Sequence, residues 1–582
     1  MSRGAYLTVR DFRVWFVKRQ GFLSSLRRAE PSYVKAVDGI DLDIGKGEVY
    51  CLVGESGCGK TTTGKGILRL VEPTGGDVFV DVPNEVLDQY LAARRTDDQT
   101  TLEGIQRRWS LAFREKVRWT VRDAALFLLM ALAGTVLGGL VGGGIDAGLR
   151  SSGFSWISLI PMGIIVAFMG TVPWFKVTPR VPVMLGLFGI LGSVLSAGFG
   201  NLFVQLTSGG GLDIGAAFAQ YGEAWSRDFV APLIQALLVV LALATTGESA
   251  RLLMGYWQSR KGIEADKLHK LRKTLQIIFQ DPYESLNPKH SVYEIVSEPV
   301  IVNHLARGRA ETEARVEQAL SDAGLRPPRD FMFRYPHELS GGQRQRVSIA
   351  GALVLHPEFI VADEPVSMLD VSIRTEILEL LLELRRDKGL TYLFITHDLS
   401  LAWVLADRIG VMYLGKIVEQ GPTKELIKNP RHPYTKALIS VVPKPDPDRR
   451  RQRIVLKGER PDPSDIPPGC RFHPRCPVAF EKCGWTAHEV LGDLRKLAAS
   501  EGHAERLGRA TIAEGDVLTL EGEAEEWLRS VLATKSEEVR ALKAIRSVER
   551  GPGGIRVLLH PYEEPALEAI TGDVQVACHL FR

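Results

Sequence analysis

The octapeptide Gly54-Glu55-Ser56-Gly57-Cys58-Gly59-Lys60-Thr61 constrains this chain more than any other stretch. It fits G-x-x-x-x-G-K-[ST], and it lies between the apolar run Glu48–Val53 and a helical pattern over Thr61–Val71. Strand, glycine loop and helix in that order turn backbone N–H groups toward an anion at a helix N-terminus. Lys60 is then placed for the β/γ-phosphates, and the Thr61 hydroxyl for Mg²⁺. Residues 35–53 read as a hairpin leading into the buried strand, and Val78–Val82 as a further short strand.

From about residue 84 the sequence departs from a compact nucleotide-binding pattern. Residues 84–122 are polar and increasingly basic, and four charge-free apolar runs follow at 124–145, 154–175, 181–206 and 229–247. Each is long enough for the roughly 20 residues that span a bilayer. Arg114, Lys116, Arg118 and Arg122 precede the first run, Lys176 and Arg180 separate the second and third, and Arg251, Arg260 and Lys261 follow the last. That asymmetry puts both ends of the segment on the cytoplasmic side. Residues 1–20 lack an apolar signal core. Net charge is only +3, which argues against a strongly basic nucleic-acid binder.

Soluble patterning resumes near Ile263. Phe359-Ile360-Val361-Ala362-Asp363-Glu364 is an apolar strand ending in two carboxylates. Asp363 is placed to hold Mg²⁺, and Glu364 to act as general base for an attacking water. Leu339-Ser340-Gly341-Gly342-Gln343 lies between the phosphate loop and that strand's acids.

With these motifs in this order, the chain resembles the ATP-binding cassette (ABC) ATPases. The resemblance implies an α/β fold: a RecA-like core, an antiparallel β subdomain and a helical subdomain. It implies ATP contacts from residues 54–61 and Thr62. It also implies that Ser340, Gly341, Gly342 and Gln343 face the nucleotide of a second cassette, identical or paralogous. Gln280 matches the glutamine near Mg²⁺ and the attacking water, His397 the histidine at the γ-phosphate, and Asp370 the D-loop aspartate, although Met368 replaces a smaller residue there. An aromatic is expected on the adenine; Tyr33 is the choice, with Phe16 as competitor.

Gln280-Asp281-Pro282-Tyr283-Glu284-Ser285-Leu286-Asn287-Pro288 and His432-Pro433-Tyr434-Thr435-Lys436-Ala437-Leu438 resemble the oligopeptide/dipeptide importer branch. That implies two permease subunits, a substrate-binding protein and a place at the cell membrane, with the ATPase on the cytoplasmic side and the chain multi-pass through its insertion. The expected organisation is a cassette over 1–83 and 263–442, a four-span insertion over 84–262, an importer-type extension over 443–483, a small α/β or α+β insertion over 484–575 and a tail over 576–582. Cys470, Cys476, Cys483 and Cys578 form a thiol set in the extension and tail. The branch implies ligands of a [4Fe–4S] cluster; tetrahedral zinc and reduced structural thiols stay open, with His473 and His579 as substitute ligands. Two other functions stay open: a self-contained exporter built on the four spans, and a soluble-type ATPase acting on ribosomes or nucleic acid.

Overall fold

A computed structural model describes residues 4–18, 33–112, 271–442, 453–456, 458–513, 517–521, 524–536, 538–551 and 554–581. They belong to one compact unit covering 1–113 and 265–582. The four apolar runs lie outside the described residues. Among the described residues, no helix is long and apolar enough to cross a membrane.

The strands in chain order are β1 (Ala5–Val17), β2 (Tyr33–Gly45), β3 (Val49–Val53), β4 (Gly75–Val80), β5 (Leu275–Ile278), β6 (Phe359–Asp363), β7 (Thr391–Thr396), β8 (Arg408–Tyr413), β9 (Lys416–Pro422), β10 (Ala510–Ala513), β11 (Val517–Leu520), β12 (Ile545–Gly551), β13 (Gly554–Leu559), β14 (Glu568–Thr571) and β15 (Val574–Val576). Eight of them form the main sheet, ordered β14-β15-β9-β8-β3-β7-β6-β5. Its centre is parallel: β3 lies between β7 and β8, and β6 between β7 and β5. Strands covered on both faces need continuous apolar sequence rather than alternation. Val49–Val53, Phe359–Asp363 and Thr391–Thr396 are accordingly buried at every residue.

A three-stranded antiparallel sheet, β2-β1-β4, packs against this one. The expected hairpin over 35–53 does not form. β2 pairs with β1, and the turn at 45–48 carries the chain into the other sheet, where β3 finds parallel partners. Residues 84–112 also differ from expectation. The helices Asn84–Thr96 and Gln99–Trp109 pack on β4 around Phe79, Tyr90 and Leu102. Asp77 fastens them, accepting from Tyr90 Oη and Gln106 Nε2 at 2.7 Å each. The cassette body therefore runs to about residue 113 before the break.

The helices Val292–Val302, Arg309–Asp322 and Gly341–Leu353 form the helical subdomain. Beyond residue 484, the helices Ala487–Ser500 and Glu525–Lys535 join an antiparallel sheet, β10-β11-β13-β12, in an α+β unit. The chain then returns: β15 pairs with the edge strand β9, Gln575 opposite Gln420 and Val576 opposite Glu419. So the last strands of the segment expected to be inserted, 568–576, extend the cassette's own sheet.

Buried polar groups stitch this seam. Tyr50 Oη donates to Gln420 Oε1 at 2.7 Å, and Gln420 Nε2 donates to Gln575 Oε1 at 2.6 Å. A buried donor left without a partner costs about 1–3 kcal/mol, whereas removing both partners is nearly neutral. Gln420→Ala is expected to lower stability by about that much in denaturant titrations, and Tyr50→Phe/Gln420→Leu to recover most of the loss.

Candidate nucleotide site

The parallel register decides where the chemistry gathers. Val53 is opposite Thr396, Asp363 opposite Ile395, and Ala362 opposite Ile278. The chain leaving β3, β5, β6 and β7 therefore emerges at one edge of the sheet, where open α/β sheets bind ligands. The phosphate loop leaves β3, Gln280 follows β5, Asp363 and Glu364 end β6, and His397 follows β7.

Gly59 begins the helix Lys60–Ile67 at φ 110°, left-handed backbone that favours glycine, and a Cβ there would strike the Ala36 carbonyl. Lys60 is buried and folds back along the loop, donating to the Gly54 carbonyl at 2.8 Å and the Glu55 carbonyl at 3.1 Å. Thr61 Oγ1 donates to Asp363 Oδ1 at 2.8 Å. Burial raises the Asp363 carboxyl above its usual range, against the Thr61 hydrogen bond and the Lys65 and Lys60 charges.

Glu364 is the point of convergence. One carboxylate oxygen, Oε2, accepts from Gln280 Nε2 at 3.2 Å and lies 3.0 Å from His397 Nδ1. Its backbone is left-handed, φ 47°, a conformation costly for a non-glycine residue. Three bonds hold it there: Glu364 N–H donates to the Ile395 carbonyl at 2.9 Å, and the Glu364 carbonyl accepts from Ser367 Oγ at 3.1 Å and Ser367 N–H at 3.2 Å.

The signature residues lie on another element. Ser340 caps the helix Gly341–Leu353 in a reciprocal capping box with Gln343. Gly342 lets this helix approach the helix Val371–Lys388, since a Cβ would come 2.5 Å from Ile373 Cγ2. Arg344 ties the helix to the segment after Gln280, its guanidinium 3.8 Å above the Tyr283 ring. The hydrogen bonds of Ser340 and Gln343 stay within their own helix start. Asp370 stands at the N-cap position of the helix Val371–Lys388 without a side-chain capping bond, two residues after an exposed Met368. Tyr33, at the start of β2, is partly exposed, its ring 6.0 Å from Trp15; Phe16 is exposed further along β1. Trp15 Nε1 donates to Asp38 Oδ1 at 3.0 Å, and Lys35 Nζ lies 4.9 Å above its ring.

The four C-terminal thiols line one cavity. The return of β15 brings Cys578 to Cys470, Cys476 and Cys483 around a cavity of about 10 Å³. Burial raises all four thiols above their usual range, Cys476 to about 12 and Cys483 to about 11. The soft donors suit an iron–sulfur cluster or zinc in kind and number. Their spacing does not yet: among the described residues, no group of three or more His, Cys, Asp or Glu side chains is arranged to hold a metal ion. His473 faces the Cys470 carbonyl and Glu489 with its two ring nitrogens, and His579 Nε2 faces the Glu563 carbonyl at 2.9 Å.

Phosphate loop, paired acids and sheet order define a P-loop nucleoside triphosphatase. Family models narrow this: "ABC transporter" matches residues 37–125 and 237–367, and "Oligopeptide/dipeptide transporter, C-terminal region" matches 418–483. The oligopeptide transport ATP-binding protein AppF of Bacillus subtilis is 50% identical over 246 residues, 42% of this chain and 73% of its own length. The dipeptide transport ATP-binding protein DppF of Haemophilus influenzae is 46% identical over 249 residues, 42% of this chain and 73% of its own. The oligopeptide transport ATP-binding protein OppF of Salmonella typhimurium is 44% identical over 262 residues, 44% of this chain and 76% of its own. The chain belongs to this family of ABC ATP-binding proteins.

His432 opens the importer-type motif. It is buried, and its Nδ1 accepts from Tyr434 N–H at 3.1 Å. Burial, with Lys436 nearby, depresses it from 6.5 to about 3. The unfolded chain therefore binds a proton that the folded chain rejects, so stability is lost as pH falls from about 6.5 toward about 3. His432→Gln is expected to flatten the fall of unfolding free energy over that window in urea titrations at successive pH values.

Proposed function

We propose that this chain is the ATP-hydrolysing subunit of an importer for peptides, working as one half of a cassette dimer. The observation that carries the catalytic reading is the double approach of Gln280 and His397 to Glu364 Oε2, one residue beyond the Thr61–Asp363 hydrogen bond. Lys60 and the loop N–H groups of residues 54–62 bind the phosphates. Thr61 and Asp363, with Gln280, would hold Mg²⁺, which would neutralise charge on the phosphates. Two or three protein oxygens suffice, because Mg²⁺ commonly completes its shell with waters and substrate phosphates. Glu364 takes the proton of the attacking water, oriented by Gln280, and His397 contacts the γ-phosphate. Ser340, Gly341, Gly342, Gln343 and Asp370 complete the partner cassette's site, and Tyr33 stacks on adenine.

Permease subunits receive the motion through the segment after Gln280. The exposed apolar side chain of Tyr283, three residues after Gln280, supports a partner contact there. The four apolar runs are read as membrane spans with the cassette on the cytoplasmic side. Hydropathy and flanking charge support that reading; the unmatched gap at 126–236 within the ABC model supports only that the segment is inserted. A substrate-binding protein supplies the peptide. Cys470, Cys476, Cys483 and Cys578 would be the ligands of a [4Fe–4S] cluster, with zinc the second metal; their kind and number support this, and the thiols would have to draw closer together to hold either. No step of the ATP cycle runs through it.

Glu364→Gln is expected to lower MgATP hydrolysis by about 10²–10⁴-fold while nucleotide binding persists. Hydrolysis near wild-type rates would remove Glu364 from this role. Purification from mild detergent is expected to bring two polytopic permease chains with it; a lone oligomer that hydrolyses ATP would favour the self-contained exporter. Iron and sulfide analysis of anaerobically purified protein is expected to give about four of each per chain, whereas stoichiometric zinc would assign the thiols to that metal.

A further inference from the structure

Glu55 is an acid inside a loop built to receive polyanionic phosphates. Left alone, its carboxylate would repel that ligand. Three contacts fix it instead. Its carboxylate takes a fork from Arg475, Nη1 to Oε2 at 2.9 Å and Nη2 to Oε1 at 3.1 Å. Its N–H donates to Tyr434 Oη at 3.0 Å. Its carbonyl accepts from Lys60 Nζ at 3.1 Å and Cys58 N–H at 3.3 Å. Arg475 is largely buried, and a two-pronged guanidinium–carboxylate pair fixes orientation as well as charge. Arg460 reaches the next residue from the same extension, donating to the Ser56 carbonyl.

From this geometry we propose that Arg475, in the C-terminal extension, is a positioning residue for ATP binding: it cancels the Glu55 charge and holds the phosphate loop open to nucleotide. The inference rests on the reading of that loop as the ATP site. Tyr434, from the importer-type motif, holds the same residue from its backbone side, so the extension grips the loop at two points.

The test measures MgATP binding and steady-state hydrolysis for wild type, Arg475→Ala, Arg475→Lys and Glu55→Gln/Arg475→Ala in the full chain. Arg475→Ala is expected to raise KM for MgATP about tenfold with kcat changed less than about twofold. Arg475→Lys recovers part of the loss, keeping the charge without the fork. Glu55→Gln/Arg475→Ala recovers more, because the uncompensated acid is gone. The ratio of mutant to wild-type KM falls as ionic strength rises from about 0.05 to about 0.5 M, which lost packing alone would not produce. An unchanged KM in Arg475→Ala, or a double variant no better than the single one, overturns the proposal. If Arg475→Ala does not fold, the charge swap Glu55→Arg/Arg475→Glu decides: binding restored relative to Arg475→Glu supports it, binding no better than Arg475→Glu refutes it. Wild-type protein that fails to bind MgATP would instead overturn the reading of the loop itself.

Discussion

The parallel register of β3, β7 and β6 is the constraint on which the rest depends. One residue of slip would reverse the faces of a strand and carry its last side chain away from the edge. With Val53 opposite Thr396 and Asp363 opposite Ile395, the phosphate loop and the acids leave the sheet side by side. Thr61 then reaches Asp363 across 302 sequence positions, and His397 reaches Glu364 across 33. Parallel strands need long crossovers, and β3, β6 and β7 pair only through such connections. The ABC family model breaks at the same place, between residues 125 and 237.

A second return closes the other side of the molecule. β8 and β9 form a tight antiparallel pair, and β9 offers an edge that β15 covers. Covering an edge strand removes an unpaired ladder. Here it also delivers Cys578 to thiols far back in the chain. Glu419, on β9, is buried and accepts from the N–H groups of Arg431 and His432. That fixes the turn carrying Tyr434 to the phosphate loop. The main sheet thus presents catalytic loops at one edge and secures the C-terminal extension against the same loops.

What the sequence made legible follows from how local each signal is. The phosphate loop, the apolar strand before Asp363 and the cap at Ser340 depend on neighbours a few residues away, so spacing reveals them. Pairing partners do not. The run 35–53 carries no mark that β2 belongs with β1, because alternation is the same for either partner. Residues 84–112 are polar enough to resemble a linker; Tyr90 and Leu102 become core only once β4 is there to receive them. Arg475 is one arginine in a Pro- and Cys-rich stretch, and its partner lies 420 positions earlier, a pairing no local pattern encodes. The meeting of Cys578 with the other thiols was hidden in the same way, by a gap that only the β9–β15 pairing closes.

If one metal–nucleotide site forms where Thr61 meets Asp363, paramagnetic Mn²⁺ in place of Mg²⁺ reads it directly. Electron spin-echo spectroscopy of the wild-type chain with Mn²⁺ and a non-hydrolysable ATP analogue should show ³¹P coupling to the metal, and Thr61→Val should weaken binding of the metal–nucleotide pair. Mn²⁺ that binds without phosphorus coupling, or that binds equally well in Thr61→Val, would contradict the account.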